Sequence, residues 1–185
     1  MAKESEDIII DNVLAGNQSA YAQLVNKYKG YAFTIANKIL QNRPDAEEAA
    51  QDAFIKAYHH LAAFNRDAKF STWLYRIVFN TAVSYKRKNK RKFEDIESTV
   101  IAHAQEGDAA LERMDKQKYV NLALSKLNDA DRTAITLFYL QEFSLEEIAE
   151  ITGMQANTTK VRIHRARAKL ADELQTILTH EALTL

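Results

Sequence analysis

The chain has 185 residues, enough for one medium domain or two small ones and too few for a large enzyme core. One proline and four glycines leave little turn material, and the lack of cysteine excludes a disulfide framework and a thiolate metal site. Basic and acidic residues number 25 each, a formal net charge of zero that argues against indiscriminate nucleic-acid binding.

Ala, Leu, Lys and Glu are abundant, which favours helix throughout. Residues Met1 to Asp7 lack a cationic start followed by an apolar run, so no signal peptide is expected. No stretch approaches the ~20 apolar residues of a spanning helix. A short helix is predicted over Glu6 to Leu14, closed near Gly16. Leu24, Tyr28, Ala32, Ile35 and Ile39 recur at helical spacing and mark a long second helix. Pro44 suits the first turn of a third, whose apolar stripe is Ala50, Ala53, Phe54, Ala57, Tyr58 and Leu61. Asp45, Glu48, Gln51 and Asp52 share another face of it, which alone reads as solvated surface.

A polar stretch from Asn65 to Lys69 leads to a helix burying Phe70, Trp73, Leu74, Ile77, Val78 and Thr81, with Ser71 as its expected N-cap. Thr72, Arg76, Asn80 and Val83 are placed away from that core, with Phe64 on the preceding loop. They run into the basic cluster Lys86, Arg87, Lys88, Lys90, Arg91 and Lys92. Aromatic and amide groups beside cations suit single-stranded DNA, where bases stack and phosphates are neutralised.

From Phe93 to about Gly107 the pattern turns acidic and aperiodic, a linker. Helices resume with Leu111, Met114, Tyr119, Leu122 and Leu127, then with Ile135, Leu137, Phe138 and Leu140 after the cap candidate Asn128. No alternating runs bounded by turns indicate strands. The expected fold is all-α: two small helical domains, residues 1–92 and 108–185, joined by an acidic flexible linker at 93–107.

Ser144-Leu145-Glu146-Glu147 reads as a capping box, in which the serine hydroxyl accepts the third amide while Glu147 reaches back. Leu145, Ile148, Ala149 and Ile151 face inward from the helix it starts, Ala149 permits a close crossing, and Gly153 supplies the turn. A second helix begins near Asn157 and directs Thr159, Ile163, Ala166, Leu170 and Leu174 inward. Asn157, Lys160, Val161, His164 and Arg165 then lie on the opposite face. Charge alone would favour a solvated face. Capping box, alanine, glycine and a basic second helix at this spacing instead give a helix-turn-helix over 144–170 that docks on duplex DNA.

With these motifs in order, nearly the whole chain resembles the extracytoplasmic-function (group IV, sigma-E-like) sigma factors of the sigma-70 family. Asp45 to Tyr58 resembles region 2.2, which implies that Asp45, Glu48, Gln51 and Asp52 dock on the β′ clamp of core RNA polymerase. Phe70 to Lys92 resembles regions 2.3 and 2.4, which implies recognition and melting of the −10 element. In that case Phe64 and Asn65 capture a base flipped from the non-template strand, near Thr72, Arg76, Asn80 and Ser84. Lys86, Arg87 and Lys88 hold phosphates. Ser144 to Leu170 resembles region 4.2, which implies that Lys160, Val161, His164 and Arg165 face the −35 groove, with Thr158 and Arg162 on phosphate.

The resemblance also implies contacts to the polymerase β subunit, a cytoplasmic bacterial protein, and an anti-sigma partner that could hold it at the membrane. The free chain is expected to be a monomer without direct membrane insertion. Thr159 stands where the family usually has valine, Gln155 where a small hydroxyl residue usually caps, and Val161 where a small polar residue is usual. The competing reading is a conventional helix-turn-helix repressor or activator that binds DNA without docking on polymerase. Catalysis finds no support: His59 and His60 are adjacent and cannot share a helical face, and no nucleophile, phosphate-loop or metal motif is present. No cofactor and no metal are expected.

Overall fold

The computed structural model describes residues 6–94, 111–140 and 142–182. Among these are eight α-helices, one 3-10 turn and no strand. Helix α1 spans Glu6–Leu14, α2 Gln18–Leu40, α3 Arg43–His59 and α4 Phe70–Glu94, with the 3-10 turn at Leu61–Ala63. The second group is α5 Leu111–Lys126, α6 Asp129–Leu140, α7 Leu145–Thr152 and α8 Ala156–Ala182. Of the predicted linker, Phe93 and Glu94 continue α4, and the rest lies outside the described residues.

Local chemistry explains the boundaries. Gly16 has φ +98°, a left-handed conformation that closes α1 where glycine is unstrained. The Asn42 side chain accepts the Asp45 amide and caps α3, just before Pro44 in the first turn. Helix α4 begins one residue before Ser71, and the Trp73 amide bonds to the Lys69 carbonyl at 3.1 Å. The expected cap at Ser71 is therefore corrected: that serine lies inside the first turn.

Helices α2, α3 and α4 pack on one another through Leu24, Tyr28, Ala32, Ile35 and Ile39, through Ala46, Ala49, Ala53, Phe54 and Ala57, and through Leu74, Tyr75 and Val78. The alanine rows of α3 let its backbone come close to both partners. Each fully buried Leu or Ile stabilises by about 2 kcal/mol. Tyr21 donates its hydroxyl to the Phe54 carbonyl at 2.6 Å, and Lys56 donates to the Thr81 hydroxyl at 3.2 Å.

The two groups are not separate bodies in this structure. Helix α7 packs on α4 and α6 packs on α2. Ala134, Leu137, Ile148, Ile151 and Ile163 join the apolar cluster of α2–α4, while Leu124, Leu127, Ile135 and Ala166 form a smaller one under α5 and α8. Leu122, predicted on the apolar stripe of α5, is exposed.

Candidate nucleic-acid interface

The helix-turn-helix forms as the sequence predicts. The Ser144 hydroxyl accepts the Glu147 amide at 3.2 Å, and the Glu147 carboxylate accepts the Ser144 amide at 2.9 Å. Gly153 closes α7 at φ +70°, donating its amide to the Ala149 carbonyl. Any residue with a Cβ would be strained there. Gln155 provides the backbone carbonyl for the first turn of α8, and the Thr159 hydroxyl donates to it as well, at 3.1 Å. Thr159 therefore sits on the buried face with its polar atom satisfied.

Thr159, Ile163 and Ala166 are buried, whereas Asn157, Thr158, Lys160, Val161, His164 and Arg165 are exposed. The last four lie within two turns at the N-terminal end of α8, the part of such a helix that enters a major groove. Arg162 behaves differently. Its guanidinium donates to Asp131 on α6 at 3.1 Å, and Lys169 donates to the same carboxylate at 3.3 Å. An open cleft of about 500 Å³ between α6 and α8 runs beside these groups and includes Asn157, Thr158 and Arg165.

On α4, Arg76, Asn80, Ser84, Arg87 and Lys88 are exposed in one row. The Ser84 hydroxyl donates to the Asn80 carbonyl at 2.8 Å. Lys86 is turned inward: its ammonium donates to the Ile39 carbonyl at 3.1 Å and to Asp129 on α6 at 2.6 Å. Asn65 is exposed on the loop, where its amide donates to Asp67. The neighbouring Arg66 has φ +64° and pairs with Asp11 of α1.

Besides Lys86, two residues expected at this face are placed elsewhere. Thr72 is only 1 % exposed. A four-residue step advances ~40° around a helix, so Thr72 stands ~80° from Asn80. That rotation carries it into the arc of α4, which packs against α2, α3 and α7. Phe64 is buried against Phe70 and Trp73, with ring centroids 5.7 and 5.2 Å away. Its ring closes the core beneath the loop and is not presented to solvent.

Helix α3 carries the acidic face. Glu48 and Gln51 are exposed, while Asp45 and Asp52 are half-buried and bound to α4. The Asn89 amide donates to Asp45 at 2.8 Å, and the Tyr85 hydroxyl donates to Asp52 at 2.5 Å. The bond to Asp52, with burial and the charges of Asp52 and Glu48, holds the Tyr85 phenol above its ordinary pKa. Ile55, 56 % exposed, extends this face one turn beyond Gln51. An isoleucine outside the apolar stripe was its signal in the sequence.

The two groups of helices meet along polar contacts beside the apolar ones. Lys69 pairs with Glu147 at 2.8 Å, Lys38 donates to Asn121 at 2.7 Å, and the rings of Tyr75 and Phe143 meet at 5.6 Å. Among the described residues, no group of His, Cys, Asp and Glu is arranged to hold a metal, and no helix is long and apolar enough to cross a membrane.

Residues 24–92 match the family described as Sigma-70 region 2, and residues 117–170 match Sigma-70, region 4. The chain is 36 % identical over 177 residues to the ECF RNA polymerase sigma factor SigW of Bacillus subtilis, covering 90 % of this chain and 95 % of that protein. It is 31 % identical to the ECF RNA polymerase sigma-E factor of Escherichia coli K12, over 94 % and 96 % of the two chains. Among solved structures, CnrH in complex with the cytosolic domain of CnrY aligns with a TM-score of 0.68 at 28 % identity, covering 91 % and 96 %. The sigma factor RpoE of Bartonella quintana, solved with the anti-sigma factor NepR, aligns with a TM-score of 0.67 at 29 % identity, covering 84 % and 96 %. Both groups of helices thus carry sigma-type motifs in sigma order, and the family is not an enzyme class. The chain belongs to the extracytoplasmic-function sigma factors of the sigma-70 family, RNA polymerase subunits that direct promoter-specific transcription.

Proposed function

We propose that residues 1–92 dock on core polymerase and open the −10 element, that 93–107 link, and that 108–185 read the −35 element through the helix-turn-helix at 144–170. The observation that carries this reading is the exposed row Lys160, Val161, His164 and Arg165 at the start of α8, over a fully buried packing face. Long side chains there reach base edges, and Thr158 reaches phosphate. The exposed row Arg76, Asn80, Ser84, Arg87 and Lys88 on α4 takes the melted strand and its phosphates, with Asn65 on the loop above it. Extruding a base costs a few kcal/mol of unstacking, which a hydrogen-bonding pocket offsets. Glu48 and Gln51 meet the polymerase directly. Asp45 and Asp52 do so while tied to α4, so docking and the −10 face share one rigid unit.

The two readers must separate to work together. Elements about 25 base pairs apart lie ~85 Å apart on duplex DNA. A compact chain of this length has a radius of gyration of only ~16 Å. The closed arrangement is then the free form, and polymerase holds the open one, where two weak anchors at fixed spacing select a promoter. The solved relatives carry CnrY and NepR, and an anti-sigma partner of this chain would act by holding the closed form. The protein acts in the cytoplasm as a monomer, by binding and without catalysis of its own.

The test adds the purified chain to core polymerase on a promoter library. New initiation at a defined pair of elements is expected, and it should be lost in Lys160→Ala/Arg165→Ala at the −35 position alone. Duplex binding without any association with core polymerase would overturn the proposal in favour of a conventional repressor or activator.

A further inference from the structure

Asp131 is 5 % exposed, yet three side chains converge on its carboxylate. The Asn128 amide donates to it at 2.7 Å, Arg162 at 3.1 Å and Lys169 at 3.3 Å. Its own backbone amide donates to the Asn128 side chain at 2.9 Å, which caps α6 and fixes where the carboxylate points. Arg162 and Lys169 are seven residues apart, about two helical turns, so one acceptor on α6 serves both from the same side of α8. They are two of the five cations in the run Lys160, Arg162, Arg165, Arg167 and Lys169. Among the described residues, none of the other three forms an ion pair.

The consequence lies in how DNA is held. Free cations near the backbone supply affinity that ignores sequence, whereas side chains at base edges supply discrimination. A phosphate that drew Arg162 away would take one of two cations from a carboxylate that is buried, which costs more than recruiting a free cation. We infer that Asp131 is a positioning residue for promoter selectivity: it draws Arg162 and Lys169 toward α6 and offsets part of their charge, so that they attract the DNA backbone less than free cations would. The duplex is then gripped mainly by Lys160, Val161, His164 and Arg165. The charge that Asp131 occupies subtracts from sequence-blind attraction and so raises the ratio of specific to non-specific binding. This inference rests on the reading of α8 as the −35 face, and it reverses the expectation that Arg162 is a phosphate contact.

The experiment uses holoenzyme formed from the full chain and core polymerase on a library randomised at the −35 position, at several salt concentrations. Asp131→Asn, which keeps the side chain's shape, is expected to broaden the range of −35 sequences that initiate. It should also tighten binding to scrambled duplex severalfold at low salt, and steepen the slope of log K against log salt by between one and two, at about 0.9 per phosphate gained. Lys169→Gln should leave the slope of the wild-type chain nearly unchanged, and lower it by about one in the Asp131→Asn background. A simple α6–α8 staple behaves differently: Asp131→Asn would weaken matched and scrambled sites alike with breadth and slope unchanged, which overturns the inference. If Asp131→Asn does not fold, Lys169→Gln decides alone, since a full-unit fall in slope in the wild-type background shows that Lys169 was never withheld. A Lys160→Ala arm with undiminished −35 preference overturns the groove reading itself. Normal loss in that arm, with an unchanged Asp131→Asn profile, overturns only the role of Asp131.

Discussion

The ammonium of Lys86 lies 2.6 Å from the Asp129 carboxylate, so a cation of the proposed −10 reader is held by the domain proposed to read −35. The same carboxylate also takes the buried guanidinium of Arg132. Lys38 stands nearby, its pKa lowered first by burial and then by the charge of Arg132. Two cations thus share one acid where α4 meets α6, and Lys38 of α2 stands beside one of them, Arg132.

Removing that acid should loosen the closed form. The Lys86–Asp129 pair is well exposed to solvent, so its own contribution is at most ~1 kcal/mol. Asp129→Lys adds a fourth cation to Lys38, Lys86 and Arg132, and is expected to separate the domains while each keeps its fold. Small-angle scattering should register a larger radius of gyration that shrinks again as salt rises and screens the repulsion. An unchanged radius at low salt would mean that the apolar contacts hold the domains together without help.

Acid should act on a second contact. Burial raises the pKa of the Glu147 carboxyl, but hydrogen bonds from Lys69 and the Ser144 amide, with the charge of Lys69, outweigh this and hold it below its ordinary value. A carboxylate with a depressed folded pKa stabilises the fold above its unfolded value of 4.5, and that stabilisation is lost as pH falls through the lower folded value. The closed form should therefore weaken on acidification below about pH 4.5. Glu147→Gln should flatten that dependence. Scattering or fluorescence of Trp73 across the pH range checks it, and equal acid sensitivity in the variant would place the effect on another carboxylate.

The start of α7 offers a stability test of its local cap. Ser144→Ala deletes the hydroxyl of the capping box, at a cost of about 1 kcal/mol. In a chain of this size that corresponds to a fall in Tm of about 2–4 °C, measurable by calorimetry. Helix content should be retained, because the apolar face of α7 still packs through Ile148 and Ile151. A shift below half a degree would show that Glu147 alone sustains the cap.

Local rules made most of this fold legible in the sequence. Pro44, the Ser144–Glu147 box and Gly153 each act within one helical turn, and each helix face follows from spacing. The residues misjudged were those whose environment depends on distant packing. Thr72 belongs to the row of Arg76 and Asn80 by spacing, but helical drift and the wide covered arc of α4 bury it. Phe64 follows a 3-10 turn, and sequence spacing does not reveal that Phe70 and Trp73 close over it. Asp131 was illegible for the same reason. Periodicity gives a residue its face but does not say which element lies opposite, and both its cationic partners are more than 30 positions away.

On α3, the structure separates two kinds of acid that the sequence treats alike. Glu48 is exposed, and Glu48→Arg should weaken binding to core polymerase by about tenfold, or ~1.4 kcal/mol, with the melting temperature unchanged. Asp52→Arg should lose both, because it also removes the acceptor of the Tyr85 hydroxyl. Binding to immobilised core polymerase, read beside a melting curve, distinguishes them. Full affinity in Glu48→Arg would move the docking face away from this side of α3.

Phe64 and Asn80 provide the corresponding contrast for promoter opening. Phe64→Ala empties part of the aromatic cluster formed with Phe70 and Trp73, and should cost about 3 kcal/mol of stability. It should also change the fluorescence of Trp73, the chain's one tryptophan. Asn80→Ala removes an exposed side chain and should leave stability within about half a kcal/mol. Its effect should fall on strand opening, seen as weaker permanganate reactivity of −10 thymines in the holoenzyme complex. The decisive comparison uses a promoter with its −10 segment already unpaired. If Asn80 serves opening, that template restores activity to Asn80→Ala, whereas Phe64→Ala at a temperature where it is folded should open ordinary promoters unaided. Loss of opening in folded Phe64→Ala would instead show that the ring leaves the core to meet a base, and the aromatic cluster would then be the closed state of a capture site.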